Sequence, residues 1–259
     1  MTIIDIAGEP FNVRMDGPEN APVLMLSNSL SSNMSMWDAQ VRAWQSRFRI
    51  LRYDSRGHGG SVAPDRPYSI DELGRDALAI LDHFGIAKAH WCGVSKGGMV
   101  GMWLLTHAPE RLGRVVLANT AAHMGPPELW NGRIRTARRG GMAALADATV
   151  ERWFTAAFRE RAPETIAAMR DMILATPAHG YAGCCAAIRD MDQRWTIRTA
   201  TNPVLVVVGG HDPATTPAAG RLIHEAIAGS SLVTLEAAHI SNVEAEADFN
   251  RTVGDFLRG

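Results

Sequence analysis

The sequence has little that would tie it to a membrane, a nucleic acid or a disulfide framework. Cys92, Cys184 and Cys185 are its 3 cysteines, and their spacing matches neither a small disulfide-stapled domain nor a metal-binding knuckle. That usage suits a reducing compartment, and Cys92, on an apolar run, reads as a packed side chain rather than a reactive thiol. No apolar stretch approaches the roughly 20 residues of a membrane-spanning helix, and residues 1–14 read as strand rather than as a secretion signal. The 26 basic and 27 acidic side chains nearly cancel, to −1, with no basic run to attract nucleic acid or an anionic lipid surface. Metal-ligand spacing, a glycine-rich dinucleotide fingerprint and a phosphate loop are also missing, since the glycine-dense residues 57–60 fit neither loop pattern. The expectation is a soluble, cytoplasmic protein acting on a small molecule without cofactor, metal, nucleic acid or membrane. Its oligomeric state is left open.

What is present begins with Gly93-Val94-Ser95-Lys96-Gly97. This fits G-x-S-x-G, in which a strand ends, turns sharply at a serine and enters a helix. Such a turn leaves almost no room for side chains beside the serine, and Gly93, Gly97 and Gly98 supply the space. Residues 90–94 read as the strand, and residues 99–105 are apolar enough for a buried helix.

The rest of the chain, 259 residues long, alternates strand and helix signals. Residues 3–6 and 11–15 read as a hairpin around Gly8-Glu9-Pro10. Residues 23–26, 50–53, 114–118, 203–208 and 232–235 read as further strands, mostly of the buried, parallel type. Residues 37–48 read as an amphipathic helix. Ser69 with Glu72, and Ser241 with Glu244, read as capping boxes opening helices that Gly85 and the region of Phe256 close. Thr216-Pro217 reads as a cap and first-turn pair. Between residues 121 and 195 strand signals vanish and short helical segments rich in Ala, Met and Arg follow. The expected architecture is an α/β fold with a mostly parallel central sheet flanked by helices. Residues 1–120 and 196–259 would form the core, and 121–195 a helical cap over the carboxyl edge of the sheet.

A serine hydroxyl needs a base to take its proton, and a histidine does so best when an acid fixes its tautomer. Asp212 and His239, like Ser95, each follow a predicted strand, so the three would meet at one sheet edge in the order nucleophile, acid, histidine, which is that of the α/β-hydrolase arrangement. His211 falls before the last strand, and the remaining histidines lack a matching turn. After the strand at 114–118 stand Asn119 and Thr120, so no acid competes from there. Asp54, Arg56 and His58 read as structural, with Asp54 and Arg56 satisfying loop backbone groups and each other. Residues 27–32, a loop of small polar side chains, read as half of an oxyanion hole, with a plain solvated loop as the alternative. The N–H groups of Leu30 and Lys96 are the expected donors. Ser29, Trp130, Arg133 and Trp153 are the candidate substrate contacts, with Arg135 beside them.

The segments SNSL at 27–30, GMVGMW at 98–103, LANTAA at 117–122 and AAHISNVE at 237–244, with the more widespread DSRGHG and the elbow, resemble the 3-oxoadipate enol-lactonases of the α/β-hydrolase superfamily. The resemblance covers nearly the whole chain. It implies the triad Ser95, Asp212 and His239, and a small acidic enol-lactone opened by water. A short-chain carboxylesterase, a weaker haloperoxidase-like activity and a binding protein without turnover are the alternatives. Two departures fall at the site: Lys96 where the family usually has Met or Gln, and Ser31 where it usually has Gly. The expectation is that they shift preference towards simple esters. Lys96 would either attract a substrate carboxylate or pair with a nearby acid.

Overall fold

A computed structural model describes residues 2–259. Strands β1 (Thr2–Ile6) and β2 (Glu9–Asp16) form the expected hairpin. Its turn places Ala7 and Gly8 at positive φ, as a tight hairpin connection requires. Then follow β3 (Val23–Ser27), α1 (Asp38–Trp44), β4 (Arg49–Tyr53), α2 (Ile70–His83), β5 (Ala89–Val94), α3 (Lys96–His107) and β6 (Leu112–Ala118). Five helices come next: α4 (Pro127–Gly140), α5 (Ala143–Trp153), α6 (Ala156–Arg161), α7 (Pro163–Leu174) and α8 (Ala178–Asp190). The chain finishes with β7 (Val204–Gly209), α9 (Pro217–Ala226), β8 (Ser231–Leu235), α10 (Ser241–Glu244) and α11 (Glu246–Arg258).

Among the described residues eight strands form one sheet in the order β1-β2-β4-β3-β5-β6-β7-β8. β2 runs antiparallel to both neighbours, and every pair from β4 to β8 is parallel. Helices cover both faces, so the inner strands are predominantly apolar, and every residue of β7, Val-Leu-Val-Val-Val-Gly, is buried. α3 lies deepest, buried from Lys96 to Leu105. The parallel strands end at one edge, where ligands of open α/β sheets bind.

Several local expectations change. The helix foreseen over 37–48 is a 3₁₀ turn at Met34–Trp37 followed by α1, which stops at Trp44. The N–H groups of Arg47 and Phe48 both turn onto the Trp44 carbonyl, which closes the helix and buries Phe48. At Ser69 only half a capping box forms. Its Oγ accepts the Glu72 N–H at 3.1 Å, but the Glu72 carboxylate turns to Arg66. Thr216 makes no side-chain cap, and Pro217 alone opens α9. Among the described residues no helix is long and apolar enough to cross a membrane.

Candidate active site

Ser95 sits between β5 and α3 at φ 56° and ψ −114°, a region in which L side chains are strained. The strain is held by neighbours. Ser95 N–H donates to the Ala118 carbonyl at 2.9 Å, and Thr120 Oγ1 donates to the Ser95 carbonyl at 2.8 Å. A Cβ on Gly93 would strike the Gly97 carbonyl, and one on Gly97 would strike the Ser27 carbonyl; these are the close approaches that the elbow glycines permit.

Beyond the ends of β7 and β8 stand the partners, Asp212 and His239. His239 Nε2 is 2.9 Å from Ser95 Oγ, and His239 Nδ1 is 2.8 Å from Asp212 Oδ2. All three side chains are buried, with Ser95 6% exposed, Asp212 3% and His239 5%. The other Asp212 oxygen accepts the N–H groups of Ala214 at 2.8 Å and Thr215 at 3.0 Å. Thr215 Oγ1 donates to Oδ2 at 2.7 Å. Burial alone would raise the Asp212 carboxyl, but the His239 imidazole and the Thr215 donors outweigh it and hold it below the usual carboxylate range.

Asn119, seen in the sequence only as the absence of an acid, joins this network. At φ 45° its Nδ2 donates to Asp212 Oδ2 at 3.2 Å and to the Ala238 carbonyl at 3.0 Å, while its Oδ1 accepts Ser241 Oγ–H at 2.5 Å. That last bond uses up the hydroxyl expected to cap a helix. Glu244 is likewise not a capping residue. Its carboxylate accepts the Ala238 N–H at 2.8 Å and both the N–H and the Oγ1–H of Thr155. It ties the loop bearing His239 to the start of α6.

Ser95 and His239 open onto a pocket whose other walls are Ser29, Leu30 and Ser31 from the loop after β3, Trp130 and Arg133 from α4, Arg152 and Trp153 from α5, and Tyr181 and Ile188 from α8. The expected Ser29, Trp130, Arg133 and Trp153 are all there. Arg135 is exposed and outside it. Arg152, next to Trp153, and Tyr181 were not foreseen. The Arg133 guanidinium lies over the Trp130 ring at 4.7 Å, and Arg152 donates to Thr149 Oγ1 at 3.0 Å. Burial, with Arg133 nearby, depresses the Arg152 guanidinium. Among the described residues neither arginine forms an ion pair with a carboxylate.

The Leu30 and Lys96 N–H groups donate to no backbone acceptor among the described residues. The Lys96 side chain departs from both expectations. It is 1% exposed, lies outside the pocket lining, and donates from Nζ to Ser55 Oγ rather than to an acid. Burial pushes its ammonium below the usual lysine range. Asp54 meets its expectation in part, accepting the N–H groups of Met34 at 2.8 Å and Gly60 at 2.9 Å. Arg56, however, pairs with Asp76 and Glu9 and not with Asp54.

The sequence profile of the α/β-hydrolase fold matches residues 22–246. The chain belongs to the α/β-hydrolase family. Among curated members, 3-oxoadipate enol-lactonase 2 of Acinetobacter baylyi is 42% identical over 253 residues, covering 98% of this chain and 94% of that protein. The crystal structure of the enol-lactonase from Burkholderia xenovorans aligns with a TM-score of 0.98 at 46% identity, covering 100% of both chains. A hydrolase from Pseudomonas aeruginosa aligns at 0.97 and 42% identity, covering 100% of this chain and 98% of that one. This member of the family therefore shares chain length and fold throughout with proteins named for lactone hydrolysis.

Proposed function

We propose that the protein hydrolyses a small carboxylated lactone, with 3-oxoadipate enol-lactone as its substrate, through Ser95, His239 and Asp212. The observation that carries the reading is the pairing of two features in one pocket: a hydrogen-bonded Ser95–His239–Asp212 chain and, in the same lining, two guanidiniums without carboxylate partners. Partly buried cations without a counter-ion are costly, and a planar carboxylate is the ligand that best satisfies them. The similarity to enol-lactonases supports the same substrate class.

In this reading Ser95 Oγ attacks the lactone carbonyl carbon while His239 Nε2 takes its proton. The carbonyl π electrons move to oxygen, and that oxyanion is held by the N–H groups of Leu30 and Lys96. Collapse re-forms the carbonyl and breaks the ring C–O bond, with His239 returning its proton to the enol oxygen. The leaving group stays tethered to the acyl chain, so water must enter with the product half still bound. His239 then deprotonates that water as it attacks the acyl carbon, the ester bond to Ser95 breaks with His239 returning the proton to Ser95 Oγ, and a dicarboxylate leaves. Asp212 orients His239 and stabilises its cation in both halves. Ser29, Trp130, Arg133 and Trp153 contact substrate, together with Arg152. Residues 121–195 act as a cap that supplies the carboxylate-binding wall. The three free, buried cysteines support a cytoplasmic setting.

The test is kcat/KM on 3-oxoadipate enol-lactone beside p-nitrophenyl acetate. A lactone preference of several decades is expected, with both activities lost in Ser95→Ala. Equal or ester-favouring rates, also lost in the mutant, would leave the triad and overturn the substrate.

A further inference from the structure

The segment from Tyr53 to His58 is set against the loop after β3 at three points. Asn28 Nδ2 donates to the Tyr53 carbonyl at 2.9 Å, Ser31 N–H donates to His58 Nε2 at 3.0 Å, and Met34 N–H donates to Asp54 Oδ1 at 2.8 Å. The middle contact is the unusual one. Ser31 stands at φ 67°, in the left-handed region where a side chain costs energy, and its backbone donor is taken by an imidazole rather than by another peptide group. His58 is 0% exposed. Its Nδ1 lies 3.2 Å from the Arg56 carbonyl, so one tautomer satisfies both ring nitrogens: Nδ1–H donates to Arg56, and Nε2 accepts from Ser31. Burial, with the Lys96 amine nearby, holds the ring well below its usual range and so neutral. Only the neutral ring can keep this arrangement, because an imidazolium has no lone pair for Ser31.

We propose that His58 is a positioning residue for the oxyanion site: by accepting the Ser31 N–H it fixes the left-handed turn and thereby the direction of the adjoining Leu30 N–H. The proposal rests on the reading that Leu30 N–H faces the substrate oxyanion. Leu30 precedes the held peptide directly and lines the pocket beside Ser95. Rotation of the Ser31 φ would swing the Leu30–Ser31 peptide and tilt the Leu30 backbone with it. The Ser29 hydroxyl on the same loop is buried without a hydrogen-bond partner, so it offers no alternative anchor. Ser32 Oγ–H, which donates to the Ser29 carbonyl at 2.9 Å, closes the turn but leaves the direction of the Ser31 N–H undetermined.

Two substitutions separate positioning from packing. His58→Phe keeps a ring without an acceptor, and His58→Gln keeps an acceptor. In His58→Phe, kcat on p-nitrophenyl acetate should fall on the order of tenfold to a hundredfold, as for a misaligned oxyanion donor, with KM within about twofold of wild type. Affinity for a trifluoromethyl ketone, which forms the tetrahedral adduct, should fall in parallel, and His58→Gln should recover part of both losses. A folded His58→Phe with wild-type kcat and ketone affinity would overturn the proposal, as would equal losses in Phe and Gln. Should the variants fail to fold, the wild type itself decides by NMR. A scalar coupling between the Ser31 amide and His58 Nε2 is expected, and its absence would overturn the proposal. A wild type without turnover on any ester or lactone would instead overturn the hydrolase reading, while the same coupling still reports on the turn.

Discussion

Ser95 holds its place at the strand–helix turn at the cost of backbone strain, and the strain is separable from the chemistry. A φ of 56° with ψ −114° costs a side-chain-bearing residue roughly 1–3 kcal/mol, while glycine adds about 0.5–1 kcal/mol of unfolded-state entropy. Ser95→Gly should therefore resist urea better than Ser95→Ala, both being expected to lose activity; a midpoint for Ser95→Gly below that of Ser95→Ala would show the turn to be unstrained. Lys96, its neighbour, carries a different cost. Its folded-state pKa lies below the ordinary 10.5, so between the two values the unfolded chain binds more protons. Wild-type stability accordingly rises as pH climbs towards 10.5. Lys96→Met lacks that titration. It should be more stable at pH 7 by on the order of 1 kcal/mol, with the gap narrowing at high pH, as thermal melts across pH would show. At this scale the sequence was legible where a residue's type and its position after a strand coincide, as for Ser95, Asp212 and His239. It was not legible where a role depends on a partner remote in the chain. Nothing local marks Asn119 as a donor to Asp212, or His58 as an acceptor for Ser31.

Among the elements, the inner strands were read almost to the residue, because burial on both faces leaves a nearly continuous apolar run between polar turns. Helix starts were read less well. Ser241 and Glu244 have capping-box spacing, yet each is drawn to a different element: Ser241 to the loop after β6, Glu244 to the start of α6. A spacing rule sees only neighbours along one helix and cannot anticipate a tertiary competitor. Glu244 thus joins the helical insertion to the His239 loop. Glu244→Gln keeps an acceptor but loses the charge and mismatches one of its donors. It should cost about 1–3 kcal/mol in stability and lower kcat more than it raises KM, because His239 follows Ala238 directly. Stability lost without any change in kcat would confine Glu244 to packing.

The whole molecule is nearly neutral, at −1, so any steering of an anion must come from the pocket and not from an overall field. Arg133 and Arg152 supply that local potential. Between about 0.01 and 1 M salt the Debye length falls from about 30 to about 3 Å. Over that range kcat/KM for the anionic lactone should drop severalfold while that for p-nitrophenyl acetate stays level. In the Arg133→Met/Arg152→Met double variant the lactone response should flatten and its KM rise tenfold or more, with ester turnover little changed. A salt-independent wild type would count against an anionic substrate.

The insertion leaves and rejoins the sheet through a narrow neck. Gln193 N–H donates to the Ala122 carbonyl at 2.8 Å, and His123 bridges to Asp192, while β6 and β7 on either side pair directly with one another. The five helices between are therefore a pendant loop of the topology, and the strands would keep their register without them. Ser95, Asp212 and His239 all stand outside that loop, whereas both pocket arginines stand inside it. Under the proposed function, two crossovers, one on each side of the neck, would trade one substrate wall for another and leave Ser95, Asp212 and His239 in place, making ligand preference and chemistry separately heritable in this chain.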